Sequence, residues 1–502
     1  MASKLLIVHG YSDGSSSFTA LGDFLINAGV YRRPDVFYLN YSSMDDEATF
    51  RDFADKLDAD YRTRFNGERI DVICHSTGSL VVRAWLAMHA VRSLQRGLDE
   101  NCPVERLVCL APANFGSDLA KLGQSFLGKF RSTFFNQNSH KGDTLESGKN
   151  VLEGLEPASP FQWELSFEHD LHAKHTYFCA DRPESQRCYP FVCAAGQAYE
   201  GIEARVVKQR GWLGTDGTVR IAGTSLNTRA CSLDFRQTGP KLIWWNDCKF
   251  PHIPFAVFAG FNHGSIANPA TPGFSEPLGP GTQILAVLRP RTTTSDAYAQ
   301  HAKAFDEISE LNYARLPVDR QARYQQFFFR VRDDVNQQVE DYYIDFHVAR
   351  RDGTPHQELT LRFDDDFQQQ VTVHSTTKSH RVFMMNCSGL GQFHQALTQA
   401  DAYLVLEVTG VSPLPDVRYE TSRFVAFDPA VPLQAGEPAL LTPNTTTLVD
   451  VVLNRIQTDR LLTISGGAPV VESVVPVARE APRALTGRAA LARPGEAGSG
   501  VT

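Results

Sequence analysis

Asp71-Val72-Ile73-Cys74-His75-Ser76-Thr77-Gly78-Ser79 is an aliphatic run that ends in small residues and leads into the helical pattern of Ser79 to Leu94. Strand, tight turn and helix in that order force the middle residue of the turn into a strained backbone conformation. They also lift its side chain clear of the sheet, provided the residues two before and two after are small. Gly78 and Cys74 meet that need, although glycine is the commoner residue where Cys74 stands. A serine between two small residues means little alone. The strand before it and the helix after it make Ser76 the candidate nucleophile.

Outward from this turn the chain reads as a mainly parallel sheet. Aliphatic runs at Leu5 to His9, Val36 to Tyr41, Leu107 to Ala111, Phe191 to Ala195 and Ile253 to Phe258 alternate with helical patterns such as Phe50 to Arg64. Strands so uniformly apolar expect helices on both faces. A serine hydroxyl is a poor nucleophile without a base, and an imidazole held in one tautomer by a carboxylate is the usual solution. Gly214-Thr215-Asp216-Gly217-Thr218-Val219 sets an acid among small turn residues, and Phe261-Asn262-His263-Gly264-Ser265 sets a histidine after the last aliphatic run. The order Ser76, Asp216, His263 is that of a doubly covered sheet with a strand-turn-helix nucleophile. Fifteen histidines leave rivals, with His252 and His169 competing for the base and Asp247 and Asp234 for the acid. Asp-Gly is also a plain turn signal. For the developing oxyanion, the backbone amide after the nucleophile, Thr77, and one in the loop after the first strand, Tyr11 of Ile7-Val8-His9-Gly10-Tyr11, are the candidate donors. An ordinary turn with a buried histidine is the competing reading of that loop.

Four pieces, the His9-Gly10 loop, the His75-Ser76-Thr77-Gly78 turn, the acid loop and Asn262-His263-Gly264, resemble an α/β-hydrolase of the lipase and esterase branch. A fifth, Ala111-Pro112-Ala113-Asn114-Phe115-Gly116-Ser117, is similar to the stretch after the next strand in many lipases, and the likeness runs from residue 5 to about 270. The resemblance implies a cofactor-free serine mechanism, an acyl-enzyme on Ser76 and a cap or lid insertion. It leaves the acyl chain and the alcohol open. Since the first strand carries the oxyanion loop, the sheet begins early, as in compact lipases, and about six strands are expected.

The 502 residues exceed what one core serves, so two or three domains are expected. The division read here is a catalytic domain at 1–290 with its insertion at about 115–190, an all-β, sandwich-like domain at 291–465, and a disordered tail at 466–502. After Pro290 a helix at Ala297 to Leu311 precedes short strands at Gln325 to Val331, Tyr342 to Ala349, Gln369 to His374 and His380 to Met385. Further strands follow at Ala402 to Val408, Thr447 to Leu453 and Leu461 to Ile464. Within the insertion, Leu119, Leu122, Phe126, Phe130 and Phe134 share one helical face, which reads either as a helix covering the core or as a mobile lid. Asp364-Asp365-Asp366 reads as a solvated turn rather than a calcium loop, and Phe327-Phe328-Phe329 as core strand rather than a lipid-facing edge.

An apolar share of 42% with 21% charged residues is that of a globular protein, and a net charge of −8 without clustered Lys and Arg argues against nucleic-acid binding. Nine scattered cysteines, an odd number with no zinc spacing, fit a reducing compartment and no metal site. The opening Leu5 to Val8 run is too short for a signal peptide, and no stretch is long enough for a transmembrane helix. A cytoplasmic protein, or one exported without a signal peptide, is expected. The function expected is lipid ester hydrolysis, as a lipase or phospholipase, with peripheral membrane contact and a partner-protein role for the β-rich half. Thioesterase, acyltransferase or small-ester carboxylesterase activity is the alternative, and a non-catalytic binding protein the third reading.

Overall fold

The computed structural model describes residues 3–462 except 12–13, 98–99, 123–147, 199–213, 237–240, 246–248, 317–320, 413–415, 432–440 and 459–460. Six strands build a parallel sheet: β1 (Leu5–Val8), β2 (Val36–Leu39), β3 (Ile70–His75), β4 (Val104–Leu110), β5 (Tyr189–Ala195) and, after two strands that leave it, β8 (Phe255–Phe258). Their order is β2-β1-β3-β4-β5-β8. Every residue of β1, β3, β5 and β8 is buried, as a sheet covered on both faces requires. Each fully buried aliphatic or aromatic side chain in such a strand contributes roughly 1.5–3 kcal/mol.

The crossover helices are α1 (Thr19–Asn27), α2 (Phe50–Phe65) and α3 (Gly78–Gln95). Thr49 and Asp52 form a reciprocal capping box that starts α2, and Asn66 in the left-handed region ends it. Helix α3 is buried on nearly all sides along its first three turns, so it is fixed by packing rather than by one amphipathic stripe. A short helix α4 (Lys149–Leu155) lies beyond the start of the insertion, and α5 (Pro280–Leu288) and α6 (Ser295–Tyr313) follow β8. Helix α6 is tied to the sheet at both ends: Tyr298 Oη donates to the Pro190 carbonyl at 2.8 Å, and the Val257 amide donates to Ser309 Oγ at 3.0 Å.

The strands omitted above, β6 (Arg229–Asp234) and β7 (Lys241–Trp244), join a second, mixed sheet. Its other members are β9 (Tyr324–Asp333), β11 (Gln368–Val373), β12 (His380–Asn386) and β16 (Thr446–Leu453), in the order β11-β12-β9-β16-β6-β7. Strand β16 is central and parallel to both neighbours, β9 and β6. An antiparallel sheet of β10 (Tyr342–Arg350), β13 (Ala402–Gly410) and β15 (Ser422–Phe427) lies on one face, and β14 (Val417–Tyr419) pairs with β17 (Arg455–Gln457).

Alternation along the mixed sheet decides what it binds together. Phe327, Phe329, Phe383, Met385, Cys231 and Val449 point into the core shared with the three-stranded sheet. Their chain neighbours Phe328, Val382, Met384, Ala230 and Leu448 point into the core of the parallel sheet. With period-2 side chains both faces are apolar, so one sheet serves two cores.

Two local readings differ. Asp364, Asp365 and Asp366 end helix α7 (Gln357–Asp366) instead of forming a loop. Leu359 and Phe363 are buried on the inner side of α7, and Phe363 packs against Phe367 and Phe393 of α8 (Leu390–Gln399), so an apolar i, i+4 pair carried the acidic run into a helix. Burial, with Asp345 and Asp365 nearby, raises the Asp364 carboxyl to about 6. Leu461 and Leu462 are exposed and not in a strand, while residues 463–464 and the 466–502 tail lie outside the described residues. The lid reading is also mostly outside them: Leu119 sits in a 3₁₀ turn, Asp118–Leu122, and Phe126, Phe130 and Phe134 are not described. Among the described residues no helix is long and apolar enough to cross a membrane.

Candidate active site

Parallel register brings the first loop beside the serine turn, because Val8 of β1 is level with Cys74 of β3. Ser76 follows β3 with φ of +53°, a left-handed conformation that costs a non-glycine residue about 1–3 kcal/mol. The turn is held from two sides, by the Ser76 amide donating to the Leu110 carbonyl at 3.1 Å and the Ala113 amide donating to the Ser76 carbonyl at 3.0 Å. Gly78 and Gly10 are dictated by contact. A Cβ on Gly78 would stand 2.6 Å from the His9 carbonyl oxygen, and one on Gly10 would stand 2.8 Å from Ser76 Cβ. Cys74 fits where glycine is commoner because its Sγ turns inward, 3.5 Å from Cys109 Sγ, and burial raises its thiol well above the ordinary range.

Ser76 Oγ donates to His263 Nε2 at 2.9 Å, and His263 Nδ1 donates to Asp216 Oδ2 at 2.8 Å. Asp216 is 1% exposed, and its other oxygen, Oδ1, accepts from the amides of Thr218 (2.9 Å) and Val219 (2.8 Å). With one oxygen taken by backbone, the carboxylate presents the second to the imidazole in a fixed direction. On the histidine side, Asn262 Oδ1 accepts from the amides of Gly264 (3.2 Å) and Ser265 (2.9 Å) and shapes the loop. Ser76 and His263 are each only 7% exposed, so the hydrogen-bonded pair is largely shielded from solvent.

His75 is the neighbour that ties these loops together. Its Nε2–H donates to the His263 carbonyl at 2.8 Å. Burial above all, with His263 and His9 adding, lowers its pKa to about 3, so it stays neutral and keeps that donor. The first loop is braced by Tyr41, whose ring stacks on His9 at 4.3 Å and whose hydroxyl donates to the His9 carbonyl at 2.9 Å and lies 3.4 Å from Thr77 Oγ1. Thr77 caps α3, where the first amides lack partners inside the helix, and Tyr11 lies in the turn after β1.

The structure therefore gathers Ser76, Asp216 and His263 and leaves the rivals elsewhere. His252 pairs with Asp306 at 3.0 Å on the surface, His169 with Glu164 at 3.1 Å, and Asp234 with Arg236 at 2.5 Å; Asp247 lies outside the described residues. Sequence reasoning did not single out His75 or Tyr41 as braces. The dipeptide His75-Ser76 was visible, but the carbonyl it reaches is 188 positions away. No group of three or more His, Cys, Asp or Glu able to hold a metal ion occurs among the described residues.

No protein-family model and no curated protein matches the chain. Among solved structures, phospholipase PlaB from Legionella pneumophila aligns with a TM-score of 0.73 at 21% identity, over 94% of this chain and 97% of that one. The same phospholipase in complex with thio-NAD aligns with a TM-score of 0.72, at the same identity and coverage. Bacillus licheniformis lipase BlEst2 in its mature form aligns loosely, with a TM-score of 0.31 at 16% identity over 45% of this chain and 79% of that one. The chain has an α/β-hydrolase-like fold joined to a β-rich second unit, an architecture similar over nearly its whole length to that of the Legionella phospholipase.

Proposed function

We propose that the chain is a serine hydrolase of carboxylic esters, acting on lipids as a lipase or phospholipase, with Ser76, Asp216 and His263 as its triad. The observation that carries this is the continuous relay from Asp216 Oδ2 through His263 to Ser76 Oγ, at 2.8 and 2.9 Å, on a serine with positive φ. In the reaction, Ser76 Oγ attacks the acyl carbonyl as His263 Nε2 takes its proton. The carbonyl oxygen becomes an oxyanion facing the proposed Thr77 and Tyr11 amides. Collapse expels the alcohol, which leaves with the proton held by His263, and the acyl group stays on Ser76. Water, deprotonated by the same imidazole, then attacks the acyl-enzyme and releases the acid. Asp216 stays ionised throughout and holds the ring in one tautomer.

Lipid as substrate is supported by the whole-length likeness to a protein named as a phospholipase. In this reading residues 1–290 carry the chemistry, and residues 291–465 complete the fold and approach a lipid surface or a partner protein.

Mass spectrometry after treatment with a long-chain fluorophosphonate tests the nucleophile. One adduct on Ser76, absent from Ser76→Ala, is expected, followed by release of fatty acid from phospholipid vesicles faster than from short-chain esters. Faster turnover of short esters or acyl thioesters would move the substrate class, and absence of any adduct would favour a non-catalytic protein.

A further inference from the structure

We propose that Arg220 is a positioning residue for Asp216, and that through it the mixed sheet takes part in setting the triad. This rests on the triad reading above. The acid loop closes on itself: the Asp216 amide donates to the Val219 carbonyl at 3.1 Å, Thr215 bridges Arg220, and the Ile221 amide donates to the Gly214 carbonyl at 2.7 Å. Arg220 is the closing residue of that loop, and its side chain leaves toward two other parts of the fold. Nε and Nη2 donate to Asp118 Oδ2 and Oδ1 at 2.6 and 2.7 Å, and Nη2 also donates to Thr372 Oγ1 of β11 at 3.0 Å. All three residues are buried. One residue before Asp118, Ser117 Oγ donates to the Thr218 carbonyl at 2.6 Å, the same residue whose amide serves Asp216 Oδ1.

A forked guanidinium-carboxylate pair fixes direction as well as distance. A buried ion pair gives little net stability over apolar side chains of the same volume, so its place at the rung beside the acid argues for geometry. The mixed sheet adds further contacts to this loop and to the helical turn, Ile221–Thr224, that follows it. Thr446 Oγ1 of β16 donates to the Ala222 carbonyl at 3.2 Å, and Gly214, with φ of +57°, lies so close to the Tyr324 ring that a Cβ there would stand 2.4 Å from Cδ2. A displacement of about 1 Å in a catalytic group costs on the order of 10²-fold in rate, and the second sheet is what prevents it here.

The test is kcat and KM for a short-chain p-nitrophenyl ester, per mole of full-length protein that melts cooperatively. The variants are Thr372→Val, Arg220→Lys and the charge-neutral pair Asp118→Asn with Arg220→Gln. The pair is expected to lose about 10- to 100-fold in kcat with KM within about twofold. Arg220→Lys should recover part of that loss, and Thr372→Val should lose about threefold in kcat alone. Wild-type kcat in the folded pair, or a loss that falls on KM, overturns the proposal. If the pair does not fold, Thr372→Val decides, and unchanged kcat in it overturns the proposal. Activity surviving in Ser76→Ala would instead overturn the triad, a failure distinct from that of the clamp.

Discussion

The parallel sheet draws its strands from residues 5–258 and orders them β2-β1-β3-β4-β5-β8, so the chain skips over β1 between β2 and β3 and passes through the second sheet between β5 and β8. The mixed sheet draws β6 and β7 from inside that same span, then β9, β11 and β12, and closes with β16 at residues 446–453. Partners in the first sheet lie within 83 positions of each other (Arg106 and Tyr189 at most), whereas the second sheet is closed by β16, whose partners lie 120 (Thr446 and Gln326) and 218 (Thr447 and Arg229) positions away. The first sets the serine turn and the histidine loop at its edge, and the second holds the acid loop from the far side. The proposed triad thus lies where the two meet, and a cut at residue 290 would part β6 and β7 from the rest of their sheet.

Removing residues 291–502 tests that comparison most severely. Strand β6 would lose its parallel neighbour β16, and Phe328, Val382, Met384 and Leu448 would leave the core of the parallel sheet. The expected outcome is loss of a cooperative melt and of soluble protein, since exposed edges and apolar faces aggregate. A truncated protein that is soluble and active would show two independent units instead.

Within the parallel sheet, Ser76→Ala or His263→Ala should lower kcat by about 10⁴-fold or more while the melting curve stays close to wild type. Unaltered activity in either would sink the triad. Gly78→Ala falls between activity and stability. Its new methyl would meet the His9 carbonyl oxygen at 2.6 Å, so about 1–3 kcal/mol of stability should be lost in urea unfolding, together with activity.

Each sheet also contains one proton-refusing histidine, which gives a matched pair of pH tests. Burial lowers both His75 in the parallel sheet and His380 in the mixed sheet to about 3, from an ordinary value of 6.5. Above about pH 6.5 both are neutral folded and unfolded, and their contribution is fully present. Between about 6.5 and 3 the unfolded chain takes up protons that the folded one refuses, so stability falls by up to about 1.4 kcal/mol per pH unit for each. His75→Asn and His380→Asn should each flatten that slope. If they act on two separable unfolding transitions rather than one, the sheets are less coupled than their shared core indicates. The smallest effect is expected from Thr446→Val, which removes one hydrogen bond from the mixed sheet to the helical turn after the acid loop and should cost about 0.5–1.5 kcal/mol in the same assay.

The difference between the sheets also explains what could be read from the sequence. Leu5–Val8 and Ile70–His75 stood out because parallel strands buried on both faces are continuous apolar runs. Ser76 was legible because the elbow is local. Strands β6 and β7 were not, since Arg229–Asp234 mixes polar and apolar residues and its partner Thr447–Val452 lies more than 200 positions away. Strands β9 and β16 were legible to within two residues from their apolar runs, Phe327-Phe328-Phe329 and Leu448 to Leu453, even though β16 buries Asp450, 1% exposed, which takes Arg330 at 2.9 Å and Arg332 at 2.8 Å. Asp216 was read from its turn residues, but the reason it faces His263, its two loop amides, is a matter of backbone geometry that composition does not carry.

Strand β16 has a consequence for the order of events during synthesis. The ribosome completes every strand of the parallel sheet by residue 258, but the strand that β6 needs on its open side is made only at residues 446–453. Until then the nascent chain holds a parallel sheet with all its strands made beside an unpaired strand edge, the kind of exposed template that invites wrong pairing. The bracing of the acid loop by the mixed sheet therefore arrives late, once almost all of the described chain has been made.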